Sequence, residues 1–540
     1  MEIIRSLLWL MVLLLLSESL TSQNWKAYPY HQSGSLIHFP ADEGRHPNEP
    51  TEWWYTVGHL TGDSTGNDYS YMLTYFFYPY MGYDGFRIFT ITNETTGAFY
   101  DQTLPVNYNT LSEDSLNIQA DPSGSSPEEW KNTTGPSGKA EPFQYSISAS
   151  AQHGAFNLYY NTLKRPLILG DSGYFHQGAS SYTYYYSQTG INVSGTFTFD
   201  NISETVSGKA WIDRQWGTFN PSSKEEYEWF SIHLSNGMDI NLWNIFTPEN
   251  KVPDTSTYRL CNMYVNDSTD IFTSDFQIDR LKYKYTPDMQ KCYAQKWRFQ
   301  ADTVDLTITA NHHENEISLP FRFFEGSISV QGIIGGDSVT GIGFAELLHS
   351  YEKPQMAFMN PSNDGQWNAS QDITWQLLNP DQGRPVAYDL EISTDGLNTF
   401  NTIEKGITDT TYNWNPSNFP DSTKAWLKLT AYSQDTTLTN MIHTDSAFTI
   451  LTSHENRILQ NSSSKIYPNP ANEFLTIRFT GNTEDFLSFD IFTIHGKPIV
   501  RNQKINRHTH TIDMRNKPAG VYLIRIFMRD QTITKKAIIH

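Results

Sequence analysis

From Asn24 to about Lys353 the chain repeats one pattern, in which short β-forming runs are cut off by Gly, Asn, Asp, Ser or Pro. Tyr71 to Tyr78, Phe86 to Thr92, Gln144 to Ala149, Ile191 to Phe199 and Asp239 to Phe246 are examples. Turns at this spacing, with almost no helical periodicity between them, predict antiparallel sandwiches or barrels. Aromatics at 14% and charged residues at 18% suit that prediction, because rings and β-branched groups pack well on a pleated, half-buried surface. The segment Asp121 to Ala140, rich in Pro, Ser, Gly and Asn, reads as a surface loop. At 540 residues the chain should divide into several domains, since single cores stop growing near ~250–300 residues. The fold class expected is all-β.

The N-terminus has Arg5, an apolar run from Leu7 to Leu16, and then Ser17, Ser19, Thr21 and Ser22. A basic start, a short apolar stretch and small residues at a cutting point make residues 1–22 an expected signal peptide. The formal net charge of −20 argues against non-specific nucleic-acid binding, which depends on Lys and Arg neutralising phosphates. The two cysteines, Cys261 and Cys292, could pair across a loop of about 30 residues or stay as buried free thiols. Their spacing offers no thiolate metal site.

The stretch Glu52-Trp53-Trp54-Tyr55-Thr56-Val57-Gly58-His59 places an acid before three aromatics. Strict alternation sets Glu52, Trp54 and Thr56 on one face of a strand and Trp53, Tyr55 and Val57 on the other. In Ala210-Trp211-Ile212-Asp213-Arg214-Gln215-Trp216-Gly217, Trp211, Asp213 and Gln215 share a face and Ile212, Arg214 and Trp216 take the opposite one. Asp213 would then sit between an aromatic and an amide, as suits a partly desolvated acid. Were Arg214 to pair with an acid instead, that acid's pKa would fall and it would become structural. Tyr227-Glu228-Trp229-Phe230 repeats the acid-and-aromatics pattern. Gly170-Asp171-Ser172-Gly173 mimics a serine-protease stretch without a matching histidine context, and His312-His313-Glu314 lacks the helical spacing of a zinc motif.

Seven motifs in order carry a family resemblance: Phe39 to Pro47, Glu52 to Leu60, Ser181 to Ser187, Ala210 to Gly217, Trp229-Phe230-Ser231, Phe324-Glu325-Gly326 and Gly343-Phe344-Ala345-Glu346. Over roughly Phe39 to Tyr351 the chain resembles the secreted, lipocalin-like AttH relatives of hydroxyneurosporene synthase, the carotenoid 1,2-hydratase family. The resemblance implies two lipocalin-like β domains in tandem, 30–200 and 201–353, with a pocket at or between them for a hydrophobic small molecule. Gln215 stands where many relatives carry an acid or His, and Phe324 where they carry Trp. The chemistry implied is acid catalysis on an apolar substrate, which needs a carboxyl that stays protonated near neutral pH beside aromatic faces. The candidate acids are Asp213, Glu52, Glu325 and Glu346, with Asp213 first and Glu52 holding the pocket wall. Trp54, Tyr55, His59, Tyr185, Tyr186, Trp211, Arg214 and Trp216 are the candidate substrate-binding residues. No cofactor or metal is called for. The alternative is a non-catalytic extracellular carrier, whose pocket acids would all be paired with Arg214, Arg87 or Arg45.

Beyond Tyr351 the texture changes. Even strand-like segments from Asp372 to Leu451, with an Asp395-Gly396 turn, resemble a fibronectin type III or immunoglobulin-like module over 359–452. After Asn461-Ser462-Ser463-Ser464, the chain runs through Tyr467-Pro468-Asn469-Pro470, Gly496-Lys497 and Pro518-Ala519-Gly520-Val521-Tyr522 to a Lys535-Lys536 tail. These pieces resemble the C-terminal sorting domain of type IX secretion substrates, here 465–540, a family of Bacteroidetes-type bacteria. The resemblance implies the type IX machinery as a partner and release or cell-surface attachment after export. Lys465 to His540 holds 12 Lys plus Arg against 6 Asp plus Glu, a net of +6 that leaves −26 for the rest. A basic tail on an acidic passenger is the mark of a separately recognised module.

Overall fold

The computed structural model describes residues 25–178, 180–220, 223–247, 258–361, 365–381, 383–419, 421–451, 463–480, 486–529 and 532–540. The expected signal peptide, residues 1–22, and Asn461 and Ser462 of the linker lie outside them. The chain is all-β, and the helical pieces among the described residues are the 3-10 turns Ala41–Glu43 and Pro416–Asn418.

Eight strands run as an antiparallel meander: Thr51–Gly62, Asp68–Tyr80, Tyr83–Asn93, Ala98–Leu111, Asn117–Pro122, Glu128–Thr134, Ala140–Ala151 and Gly154–Thr162. Tyr182–Phe199 then pairs with Gly154–Thr162 and with Ile202–Gly217, which returns to pair with Thr51–Gly62. The sheet therefore closes into a ten-stranded barrel, and closure leaves no edge to aggregate. The expected boundary between residues 200 and 201 falls inside this barrel, because the tenth strand is needed to close it. The chain passes to the next sheet after Gly217, whose φ of 150° and close approach to the Tyr182 carbonyl exclude a Cβ.

The segment read as a loop, Asp121 to Ala140, contributes the barrel strand Glu128–Thr134. Its alternation is real but polar. Glu128, Trp130 and Asn132 point inward, and the inward carboxylate of Glu128 is satisfied by Arg87 at 2.9 Å and the Tyr75 hydroxyl at 2.7 Å. Hydrophobic patterning cannot reveal a strand whose buried face is partly ionic.

The barrel interior is filled by residues such as Trp54, Leu73, Phe89, Trp130, Phe156 and Ile212. Buried beside it, Glu43 accepts hydrogen bonds from Tyr28 at 2.9 Å, Tyr145 at 2.5 Å and Asn132 at 3.3 Å. Burial pushes this carboxyl up to about 7, against those donors. Its folded pKa exceeds the unfolded one, so the stability it contributes is complete below about 4.5 and declines as pH rises to about 7. Glu43→Gln is expected to flatten that decline by up to ~1.4 kcal/mol per pH unit, read from urea unfolding across this window.

The second sheet is open. Its order from one edge is Thr269–Thr273, Arg259–Asn266, Asp239–Phe246, Glu226–Leu234, Asp337–Leu347, Phe323–Ile334, Val304–Ala310, Cys292–Ala301 and Gln277–Tyr285, with Glu316–Ile317 beside Phe323–Ile334. It wraps a core that includes Phe230, Leu242, Trp297, Phe299, Leu306 and Ile328. Cys261 and Cys292 are both buried here as free thiols. Two lipocalin-like β domains in tandem are thus a closed barrel and a half-barrel.

The described chain divides into two compact units, one of residues up to 355 with 377–387 and 431–440, the other holding the remainder. Two small β-sandwich modules follow the half-barrel. The first combines sheets of three and six strands between Met356 and Ile450, around residues such as Trp367, Trp375, Leu390 and Leu427. In the last, sheets of three and four strands between Ser463 and Ile539 enclose Leu475, Phe489, Tyr522 and Ile526.

Candidate functional site

A third apolar cluster joins the outer face of the barrel to the half-barrel, and a cavity of about 350 Å³ opens within it. Alternation decides which side chains reach it. On Thr51–Gly62, Trp53 and Tyr55 line the cavity, while Glu52, Trp54 and Thr56 turn into the barrel. On Ile202–Gly217, Asp213 and Gln215 face the cavity and Ile212 the barrel core. Met72, Phe76, Phe86 and Ile88 complete the barrel wall. The half-barrel supplies Tyr227, Trp229, Trp243, Phe323 and Glu346. Trp229 and Trp243 are direct cross-strand partners, so one wall carries two adjacent indoles.

Asp213 is buried at 3% exposure. Its Oδ2 accepts from the Tyr185 hydroxyl at 2.5 Å, and its Oδ1 from Ser187 Oγ at 2.5 Å and Trp211 Nε1 at 2.7 Å. The half-barrel braces these donors: Trp229 Nε1 and Asn241 Nδ2 each donate to the Tyr185 hydroxyl at 2.9 Å, and Asn241 Nδ2 to Ser187 Oγ at 3.1 Å. Burial lifts the Asp213 carboxyl to about 7, with the three donors pulling the other way and the nearby Glu346 adding to the rise. Among the described residues, no lysine, arginine or histidine forms an ion pair with Asp213, Glu325 or Glu346.

Glu325 and Glu346 face each other across paired strands. The Tyr227 hydroxyl donates to Glu346 Oε1 and the Tyr55 hydroxyl to Glu325 Oε1, the latter at 3.0 Å. Burial raises both carboxyls, and for Glu325 the adjacent Glu346 raises it further. Each of the three acids therefore has its own tyrosine.

Glu52 lies elsewhere. Inside the barrel it is fully buried between Arg214 and Arg45, with His46 donating its backbone N–H at 3.1 Å. Burial opposes its charge, but Arg214, His46 and Arg45 outweigh burial and hold the carboxyl at about 2. The Arg214 guanidinium lies 3.9 Å over the Trp54 ring and 5.3 Å from that of Trp216. Trp216 and Tyr186 pack in a cluster with Trp25 and Phe39. His59 bonds the Gly343 carbonyl at 3.1 Å, and burial presses its pKa down to about 4. Thus Asp213, Glu346, Tyr55 and Tyr185 line the cavity, Glu325 and Trp211 contact those residues, and Glu52, Trp54, His59, Tyr186, Arg214 and Trp216 stand apart from it. Sequence reasoning passed over Trp53, Tyr227, Trp229 and Trp243 as lining residues. The signal for Tyr227 and Trp229 was present, since both fall on the face opposite Glu228.

Residues 30–351 match the AttH-like family model. The chain belongs to the AttH-like family. Its C-terminus, 465–540, matches the secretion system C-terminal sorting domain, which marks this AttH-like protein for export to the cell surface or the extracellular space. Solved structures similar to it include an AttH protein of Nitrosomonas europaea, 18% identical with a TM-score of 0.48, covering 59% of this chain and 98% of that one. Kievitone hydratase of Nectria haematococca is 15% identical, with a TM-score of 0.48, covering 60% of this chain and 96% of that one. No curated protein matches the sequence.

Proposed function

We propose that this AttH-like protein is an exported enzyme that adds water to, or hydrolyses, a hydrophobic isoprenoid- or lipid-like molecule, with Asp213 as the acid. The observation that carries the reading is a buried carboxyl, without a cationic partner among the described residues, in a cavity walled by aromatics, a setting that lifts it to about 7. Protonating an isolated alkene requires an acid that holds its proton near neutral pH and faces that stabilise a carbocation. The rings of Trp53, Tyr55 and Trp229 offer such faces around Asp213. A carrier would call for neutralised acids, but Arg45 and Arg214 pair with Glu52 and Arg87 with Glu128. In this reading residues 1–22 direct the chain into the periplasm, and the 359–452 sandwich separates the enzyme from its sorting tail.

The test is incubation of the purified chain with a panel of prenylated and terpenoid alkenes in ¹⁸O-labelled water, followed by mass spectrometry. Addition of one labelled water is expected, and turnover should fall as pH rises through about 7, where Asp213 loses its proton. Recovery of unaltered ligand across the whole panel, with tight binding, would favour the carrier.

A further inference from the structure

Glu325 Oε2 is buried and receives no donor from any described residue. Its neighbour is Glu346, its direct partner on the adjacent strand, so the two carboxyls stand side by side on one face. Two carboxyls can share a hydrogen bond only if one keeps its proton. Each acid has one tyrosine donor and could equally accept the shared bond, so burial decides: Glu325 is 1% exposed, whereas Glu346 is half-buried at the cavity, where a charge keeps more of its hydration. The proton therefore sits on Glu325. Glu346 lines the cavity and Glu325 does not.

We infer that Glu346 is the base that takes the proton from the attacking water, and that Glu325 is a positioning residue, a protonated carboxyl whose hydrogen bond keeps Glu346 ionised and oriented. This assignment of chemistry rests on the hydration reading, whereas the placement of the proton does not. Asp213 comes from the barrel and Glu346 from the half-barrel, so acid and base enter the cavity from different domains. Asp213 gives its proton to one alkene carbon, and the π pair forms the C–H bond. Water adds to the other carbon through oxygen and surrenders a proton to Glu346. Transfer of that proton from Glu346 to Asp213 restores both groups, and the net change is one water added. The groups facing the glutamate pair are Tyr55, Tyr227 and Asp213, with no base among the described residues to anchor a second negative charge.

The test that needs no substrate is an infrared titration of protonated carboxyl groups in the full chain. A carboxyl signal should persist above neutral pH, vanish in Glu325→Gln, and titrate at lower pH in Glu346→Gln, where the neighbouring charge is gone. Tyr55→Phe, which removes a donor to ionised Glu325, gives an independent check and should move the signal to higher pH. Survival of the signal in Glu325→Gln, or its indifference to Tyr55→Phe, overturns the assignment of the proton. On a hydrated substrate, Glu346→Gln should lower turnover ~10²- to 10⁴-fold, the usual contribution of a general base. Glu325→Gln, whose amide still donates, should stay within about 10-fold of the unmutated protein, while Glu325→Leu should lose activity with Glu346→Gln. Equal loss in Glu325→Gln and Glu325→Leu overturns the positioning role. If no alkene is hydrated but the titration behaves as expected, the hydration reading falls and the proton placement stands.

Discussion

Asp213→Asn is expected to remove water addition while leaving the fold intact. The amide is isosteric, and its oxygen can still accept from Ser187 and Trp211, which donate to Oδ1 at 2.5 and 2.7 Å. The Tyr185 oxygen already accepts from Trp229 and Asn241, so the amide N–H opposite it stays unpaired, at a cost of ~1–3 kcal/mol. What the variant lacks is a transferable proton, so turnover should fall ~10²- to 10⁴-fold, the span a general acid supplies. The cost to stability should depend on pH. The raised folded pKa of Asp213 means that the unmutated protein loses stability as pH rises from about 3.8 to about 7, as the buried carboxyl ionises. Asp213→Asn lacks that term, so the deficit left by its unpaired N–H, read from urea unfolding, should shrink as pH rises toward 8. Turnover unchanged within ~2-fold would remove Asp213 from the mechanism. Activity lost together with a stability deficit that grows toward pH 8 would make it a structural residue instead.

The fold class was legible because its cause is local. Short runs punctuated by turn residues favour antiparallel β structure, and alternation assigned the faces of Thr51–Gly62 and Ile202–Gly217 correctly, down to Asp213 facing away from Arg214. Which face meets the cavity was not local information. Trp54 and Trp216 looked as suitable for ligand binding as Trp53 and Trp229, and the choice between them depends on where the barrel closes and which outer surface the half-barrel covers. The strand Glu128–Thr134 was hidden for a related reason, because its buried acid is acceptable only once Arg87, 41 residues away in sequence, is beside it. Charge partners behave alike. The sequence left open whether Arg214 pairs with an acid, and the barrel delivers it to Glu52, 162 residues distant. The acid-and-aromatics pattern occurs twice, and in both domains its acid turns inward onto an arginine, Glu52 onto Arg214 and Glu228 onto Arg280. The acid of that pattern is thus ion-paired in both domains, whereas among the described residues Asp213, Glu325 and Glu346 form no ion pair.

That division of labour predicts a large effect on stability from Glu52. Replacing it with Gln leaves the guanidinium groups of Arg214 and Arg45 buried without their counter-ion, at 1% and 9% side-chain exposure. Loss of one partner from a buried pair costs ~3–5 kcal/mol, because the remaining charge stays desolvated. Arg214 keeps carbonyl acceptors at Trp53, 3.2 Å away, and Gln215, 2.9 Å away, but carbonyl dipoles do not replace a full negative charge. The pH signature has a fixed sign. The folded pKa of Glu52 is depressed from 4.5 to about 2, so its contribution is complete above about 4.5 and is lost as pH falls toward about 2. Urea unfolding at pH 7 should therefore show Glu52→Gln ~3–5 kcal/mol less stable, with the gap narrowing in acid. Because Glu52 lies outside the cavity, the folded fraction of the variant should retain the pH dependence of turnover set by Asp213. A loss below ~1 kcal/mol would mean that the cluster is hydrated like a surface pair. A shifted pH profile would mean that Glu52 communicates with Asp213 along the strand pairing in which Trp216 faces Glu52 and Tyr55 faces Asp213.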